Sequence, residues 1–402
     1  MATPLAFGAT TQAAEDSPVV AYLENVLAQA VRLRASDLHF EPFEHSYRVR
    51  LRIDGELREV AAPDWALKDK LASRIKVLSH LDIAEKRLPQ DGRMKLPMAQ
   101  GPELDLRVST LPTLFGEKVV IRILSPDASG LSIHQLGYED EEKFRLLNAI
   151  RQPHGMVLVT GPTGSGKTQS LYACLNVLNA PEVNIATVED PCEIRLPGVN
   201  QVNVHDRAGL SFAVALRAFL RQDPDVLMVG EVRDLETADI AIKAAQTGHL
   251  VLSTLHTNDA PSALTRLRNM GIAPYNIVSS VALITAQRLV RRLCPHCKQT
   301  ADIAPQRLRD AGLPERFLQT PVSAYRPLGC DQCHKGFAGR IGVFQVMPIS
   351  DVMADLILQE ASTHTIAAQA QREGVLTLRQ SGLRKVMQGI TSLEEVLGAT
   401  SE

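Results

Sequence analysis

The sequence predicts an α/β protein with two folded modules in series, and three observations carry that prediction. A strictly alternating segment built around Asp54-Gly55 reads as a β-hairpin in the first part of the chain. From residue 156 the pattern changes to short continuous apolar runs at 156–160, 185–188, 226–229 and 250–254, separated by helical stretches. Such runs suit a parallel sheet buried on both faces. The first run leads into Gly161, Pro162, Thr163, Gly164, Ser165, Gly166, Lys167 and Thr168, the complete P-loop pattern, and a helical stretch follows.

Composition bounds the answer. The 402 residues suffice for two to three domains. With 45% apolar and 22% charged residues the chain has ordinary soluble globular composition. A net charge of −2 lends no support to a nucleic-acid partner. The longest apolar stretch, 277–286, is broken by two serines and is too short to span a bilayer. The N-terminus lacks the basic start and apolar core of a signal peptide. These features predict a cytoplasmic protein whose membrane contact comes only through partners.

In chain order, residues 1–16 are small and polar without periodicity and read as a disordered leader. Apolar spacing at 18–33 predicts a helix. In the hairpin, Tyr47, Val49, Leu51 and Ile53 share one face, and Arg48, Arg50 and Arg52 the other. Strands at 104–108 and 119–124 complete a module over 17–125. A connector is expected at 126–142, the P-loop core at 143–290, a cysteine-containing region at 291–345 and a helical end at 346–402. There is no long internal repeat and no low-complexity tract.

The P-loop glycines let the backbone curl so that its N–H groups point at phosphate oxygens, and the helix start adds a favourable dipole. Lys167 is expected at the β- and γ-phosphates of ATP and Thr168 at Mg²⁺. The run 226–229 followed by Gly230 and Glu231 resembles a Walker B strand, with Gly230 where an aspartate is common, so Glu231 is expected to orient the magnesium. Glu189 follows the run 185–188, where ligands gather at strand carboxyl ends, and is the candidate for holding the attacking water. His249 and His256 flank one strand, and seven extended residues span about 23 Å. His256, at the carboxyl end, is the expected γ-phosphate sensor, and His249 a structural residue at the other end.

Two CxxC pairs, Cys294 with Cys297 and Cys330 with Cys333, read as a structural Cys₄ zinc site. His296 and His334 are near enough to replace one thiolate, and redox dithiols or free thiols are the alternatives. Cys174 and Cys192 read as small core residues.

The segments EKRLPQDGR (85–93), DLRVSTLP (105–112), VEDP (188–191), LRQDPDV (220–226), GEVRD (230–234), TGHL (247–250) and STLHTN (253–258) give the chain a specific resemblance, from about residue 17 to 402. It resembles the secretion-superfamily ATPases of type IV pilus assembly and type II secretion. The resemblance implies a PAS-like N-terminal α+β module followed by a RecA-like ATPase domain. It implies a homo-hexamer, an Asp box matching Glu189 to Glu193, and His boxes matching His249 and His256. It implies a Cys₄ insert of the kind found in extension and secretion motors, and an inner-membrane platform protein as partner. The stretches AIKAAQTG (241–248) and EIRLPGVNQVN (193–203) look closer to pilus-extension members. Full-length members carry a further N-terminal docking domain, whereas about 16 residues precede the module here.

The expected activity is ATP hydrolysis that drives pilin polymerisation, with a type II secretion motor as the alternative. A DNA translocase is disfavoured by charge and by the lack of a basic or aromatic stripe; DNA-stimulated hydrolysis would revive it. A small-molecule kinase leaves the cysteine quartet unexplained and requires an acceptor-dependent product. The P-loop part of the sequence offers no evident arginine finger. Arg107 is expected on the face opposite Leu104, Leu106 and Val108, and Arg93, after Gln90-Asp91-Gly92, at a loop tip. The resemblance also places arginines of these segments at the nucleotide, so both are expected to close over the γ-phosphate.

Overall fold

The computed structural model describes residues 17–97, 103–124, 131–318 and 324–401, so the expected leader at 1–16 lies outside the described residues. The chain divides into two compact units between Asp127 and Ala128.

The first unit contains α1 (Ser17–Arg32), β1 (Asp37–Pro42), β2 (Tyr47–Ile53), β3 (Glu56–Ala61), α2 (Lys68–Leu78), β4 (Gln90–Leu96), β5 (Leu104–Thr113) and β6 (Gly116–Ile123). Its strands form one antiparallel sheet in the order β3-β2-β1-β6-β5-β4. Asp54 and Gly55 both take positive φ, as a tight two-residue hairpin turn requires. Val19, Leu23, Val26, Leu27 and Ala30 form the buried stripe of α1. That stripe joins Leu71 and Ile75 of α2 and the apolar face of the sheet, including Tyr47, Val49 and Leu51, in one core.

The opposite sheet face carries a lattice of charges. Glu41 of β1 accepts from Arg50 Nε at 2.8 Å and Nη2 at 3.0 Å, and pairs with Arg48 at 3.3 Å and Lys118 at 3.0 Å. Burial pushes its carboxyl up, but Arg50 and Lys118 outweigh burial and hold it at about 2. The arginines predicted to share a face thus answer the acids of β1.

Arg93 departs from expectation. It lies inside strand β4, paired with Arg107 of β5, and not at a loop tip. The preceding loop is pinned by Gln90, whose amide donates to the Asp82 and Glu85 carbonyls at 2.9 Å, and the strand begins there. Gly92 serves close approach instead of a turn, since a Cβ there would sit 2.6 Å from the Ser79 carbonyl.

The second unit contains α3 (Ile133–Leu136), α4 (Asp140–Ile150), β7 (Gly155–Thr160), α5 (Lys167–Leu178), β8 (Ile185–Glu189), β9 (Val199–Asn203), α6 (Phe212–Phe219), β10 (Val226–Val229), α7 (Leu235–Gln246), β11 (Leu250–Leu255), α8 (Ala260–Asn269), α9 (Pro274–Ser280) and β12 (Val281–Leu293). It continues with β13 (Gln299–Thr300), α10 (Pro305–Asp310), β14 (Tyr325–Arg326), β15 (Phe337–Pro348), α11 (Asp351–Leu358), α12 (Thr363–Arg372), α13 (Leu378–Met387) and α14 (Leu393–Ala399). Seven strands run in the order β15-β12-β7-β11-β10-β8-β9, all parallel except β15. Every residue of β7, β8, β10 and β11 is buried, as a sheet covered on both faces demands. Separate apolar cores fill the two faces.

Three boundaries differ from the sequence reading. Within the expected connector, Ile133 and Tyr138 are buried, and Tyr138 stacks on Phe344 with ring centroids 3.6 Å apart. The expected core end at 290 falls inside β12, which runs to Leu293 and pairs antiparallel with β15 from Leu283↔Pro348 to Leu293↔Phe337. The cysteine region is therefore an excursion between two neighbouring strands of one sheet. The cysteine region and the helical end are also not separate bodies. Leu308 and Leu313 share a core with Leu383, Val386, Leu393 and Val396, and Arg291 donates to Glu395 at 2.7 Å. Among the described residues, no helix is long and apolar enough to cross a membrane.

Candidate active site

Strand β7 delivers the chain to the P-loop and α5 begins at Lys167, capped by Gly166 at φ 90°. Gly161 takes φ 152°, and a Cβ there would meet Ser165 Oγ at 2.5 Å and the Gln287 carbonyl at 2.6 Å, so only glycine fits. Gly166 starts the helix in a left-handed conformation that side chains resist. Pro162, Thr163 and Gly164 are exposed along the loop, Ser165 is buried, and Thr168 is half-buried in the first turn of α5. The loop thus lies at a helix start, where backbone N–H groups lack intrahelical partners and favour anions.

The Lys167 ammonium donates to the Gly161 and Pro162 carbonyls at 2.8 and 3.1 Å. Burial pushes its pKa down; the nearby Glu231 opposes the shift and Arg288 adds to it. Glu231 follows β10 on a segment fixed by Gly230 N–H to the Val188 carbonyl at 2.8 Å and Val232 N–H to the Thr254 carbonyl at 3.1 Å. Its carboxylate bonds Arg233 and lies 3.4 Å from His256 Nε2. Burial raises the Glu231 pKa, but Arg233 and His256 prevail and the net shift is downward, keeping the carboxylate ionised. Lys167, Glu231 and His256 therefore gather at the carboxyl ends of β7, β10 and β11, the ligand edge of an open α/β sheet.

Glu189 differs from the role expected of it. It is 4% exposed, and its oxygens accept from the Tyr172 hydroxyl, from Thr187 Oγ1 at 2.7 Å and from Gln201 Nε2 at 3.2 Å. Burial and the adjoining Glu189 charge push the Tyr172 hydroxyl up, so it stays a donor. With both oxygens committed to buried side chains, Glu189 holds Gln201 instead of a water. Gln201 in turn bonds the Ile194 carbonyl at 3.0 Å and Leu196 N–H at 2.8 Å, fixing the loop that carries the acidic cluster. Asp190, next in sequence, lies 3.6 Å from Arg233.

His249 sits at the opposite end of β11, its Nδ1 3.0 Å from the Ala244 carbonyl near the end of α7, in the structural place expected. Sequence reasoning missed the cations of the motor unit. Arg288, on β12, bonds Asn258 Oδ1 at 3.1 Å beside His256 and Thr257, and Arg233 bonds Glu231. Arg233 lies within the GEVRD segment but was given no role there, whereas Arg288 lies in no motif, and only the strand order reveals that β12 adjoins the P-loop strand.

In the first unit, Arg93, Arg107 and Arg122 stand in cross-strand register on one sheet face. With Asp91, Ser109 and neighbours they line a groove of about 400 Å³. Arg107 lies opposite buried Leu104, Leu106 and Val108, as the alternation predicts.

The four cysteines converge. Cys294 and Cys330 sulfurs are 3.9 Å apart, Cys297 and Cys333 3.7 Å, and Cys330 and Cys333 3.7 Å. Thiolates about 2.3 Å from a tetrahedral ion stand about 3.8 Å apart, so the quartet fits zinc. Gly329 N–H points at Cys297 Sγ at 3.3 Å and Cys330 N–H at Cys333 Sγ at 3.2 Å, contacts that favour thiolates. Among the described residues, the group contains neither His296 nor His334.

Known proteins resemble the chain over most of its length. The family model described as "Type II/IV secretion system protein" matches residues 12–398. The type IV pilus assembly ATPase PilB of Acinetobacter baylyi is 55% identical over 389 residues, covering 96% of this chain and 67% of the relative. The type II secretion system ATPase E of Vibrio cholerae is 49% identical over 393 residues, covering 96% of this chain and 76% of the relative. Among solved structures, the ATPase DotB of Legionella pneumophila superposes with a TM-score of 0.66 at 20% identity, over 93% of this chain and 94% of that one.

Proposed function

Because the chain belongs to the type II/IV secretion system protein family, we propose that it is a motor whose hydrolysis of Mg-ATP drives type IV pilus assembly. It is an ATP hydrolase. The observation that carries the reading is the convergence of Lys167, Glu231 and His256 beside a complete P-loop, in a chain 55% identical to a pilus assembly ATPase.

The residues divide the work. The backbone amides of residues 161–168 and the α5 dipole hold the β- and γ-phosphates, and Lys167 leaves its carbonyl partners to meet them. Thr168 and Glu231 hold the magnesium ion, which neutralises charge on the transferred phosphoryl group. Glu231, partly buried, also orients the attacking water, a task for which Glu189 is the more enclosed of the two. His256 reports the γ-phosphate through its contact with Glu231. Arg93 and Arg107 supply positive charge to the γ-phosphate in the hydrolytic state. Cys294, Cys297, Cys330 and Cys333 hold a structural zinc ion.

The chain works as a homo-hexamer at the cytoplasmic face of an inner membrane, against a platform protein of the pilus machine, and touches the membrane only through such partners. The 49% identity to a type II secretion ATPase supports the second reading, movement of pseudopilins. One experiment separates them. Expressed in a bacterium lacking its own pilus assembly ATPase, the chain should restore surface pili, and Lys167→Ala should not. Restored secretion in a strain lacking its secretion ATPase, with no pili in the first strain, would favour the second reading.

A further inference from the structure

The P-loop pattern ends at Thr168, yet the side chain that fills the loop comes from β12, more than a hundred residues later. Gln287 is 1% exposed. Its Nε2 donates to the Ser165 carbonyl at 2.7 Å, and its Oε1 accepts from Ser170 Oγ at 2.7 Å. Ser170 is itself 1% exposed, on the first turn of α5. The tightness of Gly161 and Gly166 traces to the same residue. A Cβ on Gly161 would lie 2.6 Å from the Gln287 carbonyl, and one on Gly166 would lie 3.2 Å from Gln287 Nε2.

We propose that Gln287 is a positioning residue for the phosphates of ATP, acting through the Ser165–Gly166 peptide. In a trans peptide the C=O and N–H point in opposite directions. Holding the Ser165 carbonyl toward β12 turns the Gly166 N–H the other way, into the concave side of the loop. That amide is one of the donors an anion at the start of α5 would meet. The Ser165 carbonyl, which can only accept, fixes which end of the Gln287 amide faces it, and the Ser170 hydroxyl anchors the other end by donating to Oε1. Without Gln287 the Ser165 carbonyl loses a buried partner, and the peptide is free to rotate toward another donor. The loop would then present one phosphate donor fewer, although every residue of the P-loop pattern remained.

This inference rests on the P-loop reading, and the test separates the two. The variants are Gln287→Met, similar in volume but unable to bond either partner, and Ser170→Ala, which removes the hydroxyl that anchors the far end of the Gln287 amide. ADP affinity by calorimetry, and KM and kcat for ATP, are measured beside wild type and Lys167→Ala. Gln287→Met should weaken ADP binding and raise KM by about tenfold, with kcat at saturating ATP within about threefold of wild type. Ser170→Ala should move KM the same way by about threefold, and Gln287→Glu, which cannot donate to Ser165 when ionised, should follow Gln287→Met. ADP affinity and KM unchanged in Ser170→Ala and in a folded Gln287→Met would overturn the proposal. If Gln287→Met fails to fold, unchanged values in Ser170→Ala overturn it alone. If wild type and Lys167→Ala bind ADP equally, the P-loop reading fails instead.

Discussion

Three guanidinium groups in cross-strand register present an unusual problem for a sheet, because like charges facing one another repel. Arg122 bonds Asp37 at 2.9 Å, and Arg93, Arg107 and Arg122 together line a groove about 400 Å³ in volume. Such a row is suited to an anion, and the ATP γ-phosphate is the anion this family's reaction supplies. Cations at a transferred phosphoryl group are worth about 10³- to 10⁵-fold in rate. Arg93→Ala and Arg107→Ala should each lower turnover by about a hundredfold or more while nucleotide affinity falls only severalfold. Near-normal turnover in both single variants and in the double variant would remove these arginines from the mechanism. The alternation of β5 made the direction of Arg107 legible from sequence. The setting of Arg93 was not legible, because Gln90-Asp91-Gly92 has turn composition, and its strand setting depends on Gln90 bonding a loop that sequence does not reveal. The burial of Glu189 was likewise hidden, since its three donors come from α5, β8 and β9.

Strands β7, β8, β10 and β11 could be read from sequence because each is buried along its length and flanked by loops. Strand β9 is half-exposed at the sheet edge, and the long strands β12 and β15 mix buried with partly exposed residues. The absence of β12 and β15 from the reading displaced the boundaries near 290 and 345. The correction matters for the metal. Because the cysteine region hangs between β12 and β15, Cys294 follows directly on Leu293 of β12, seven residues beyond Gln287. The region also shares its core with α13 and α14, and Lys298 Nζ donates to the Gly389 carbonyl at 2.8 Å. Purified protein should therefore carry one zinc per chain. Replacing any one of Cys294, Cys297, Cys330 and Cys333 with Ser should release it and expose residues 294–318 and 324–336 to hydrogen exchange, since metal binding here is folding energy. The shared core adds a second expectation: protection should also fall in α13 and α14. Metal analysis of reduced, unchelated protein that finds no zinc would contradict the assignment.

At the scale of the whole molecule, the P-loop and the arginine row lie in two separately packed units. The first unit also leaves apolar side chains in water. Leu114 is 94% exposed and Leu111 52%, with Trp65 and Phe115 close by through Lys68, which lies 3.5 Å from the Trp65 ring centroid and donates to the Phe115 carbonyl at 3.0 Å. Exposed apolar groups that form one contiguous patch mark an interaction surface. Closed rings are the usual way for identical chains to bury such surfaces without open-ended growth. The proposed homo-hexamer would answer this requirement and would bring several copies of the arginine row and the P-loop into one assembly. The expectation is that wild-type protein with magnesium and a non-hydrolysable ATP analogue sediments as six chains. Its specific activity should rise with protein concentration across the range where that species forms. Leu114→Asp should place a charge in the apolar surface, shift sedimentation toward the single chain and lower turnover at equal concentration, while leaving ADP affinity of the isolated P-loop within about twofold. Full specific activity from wild-type protein that sediments as a single chain would remove the ring from the mechanism.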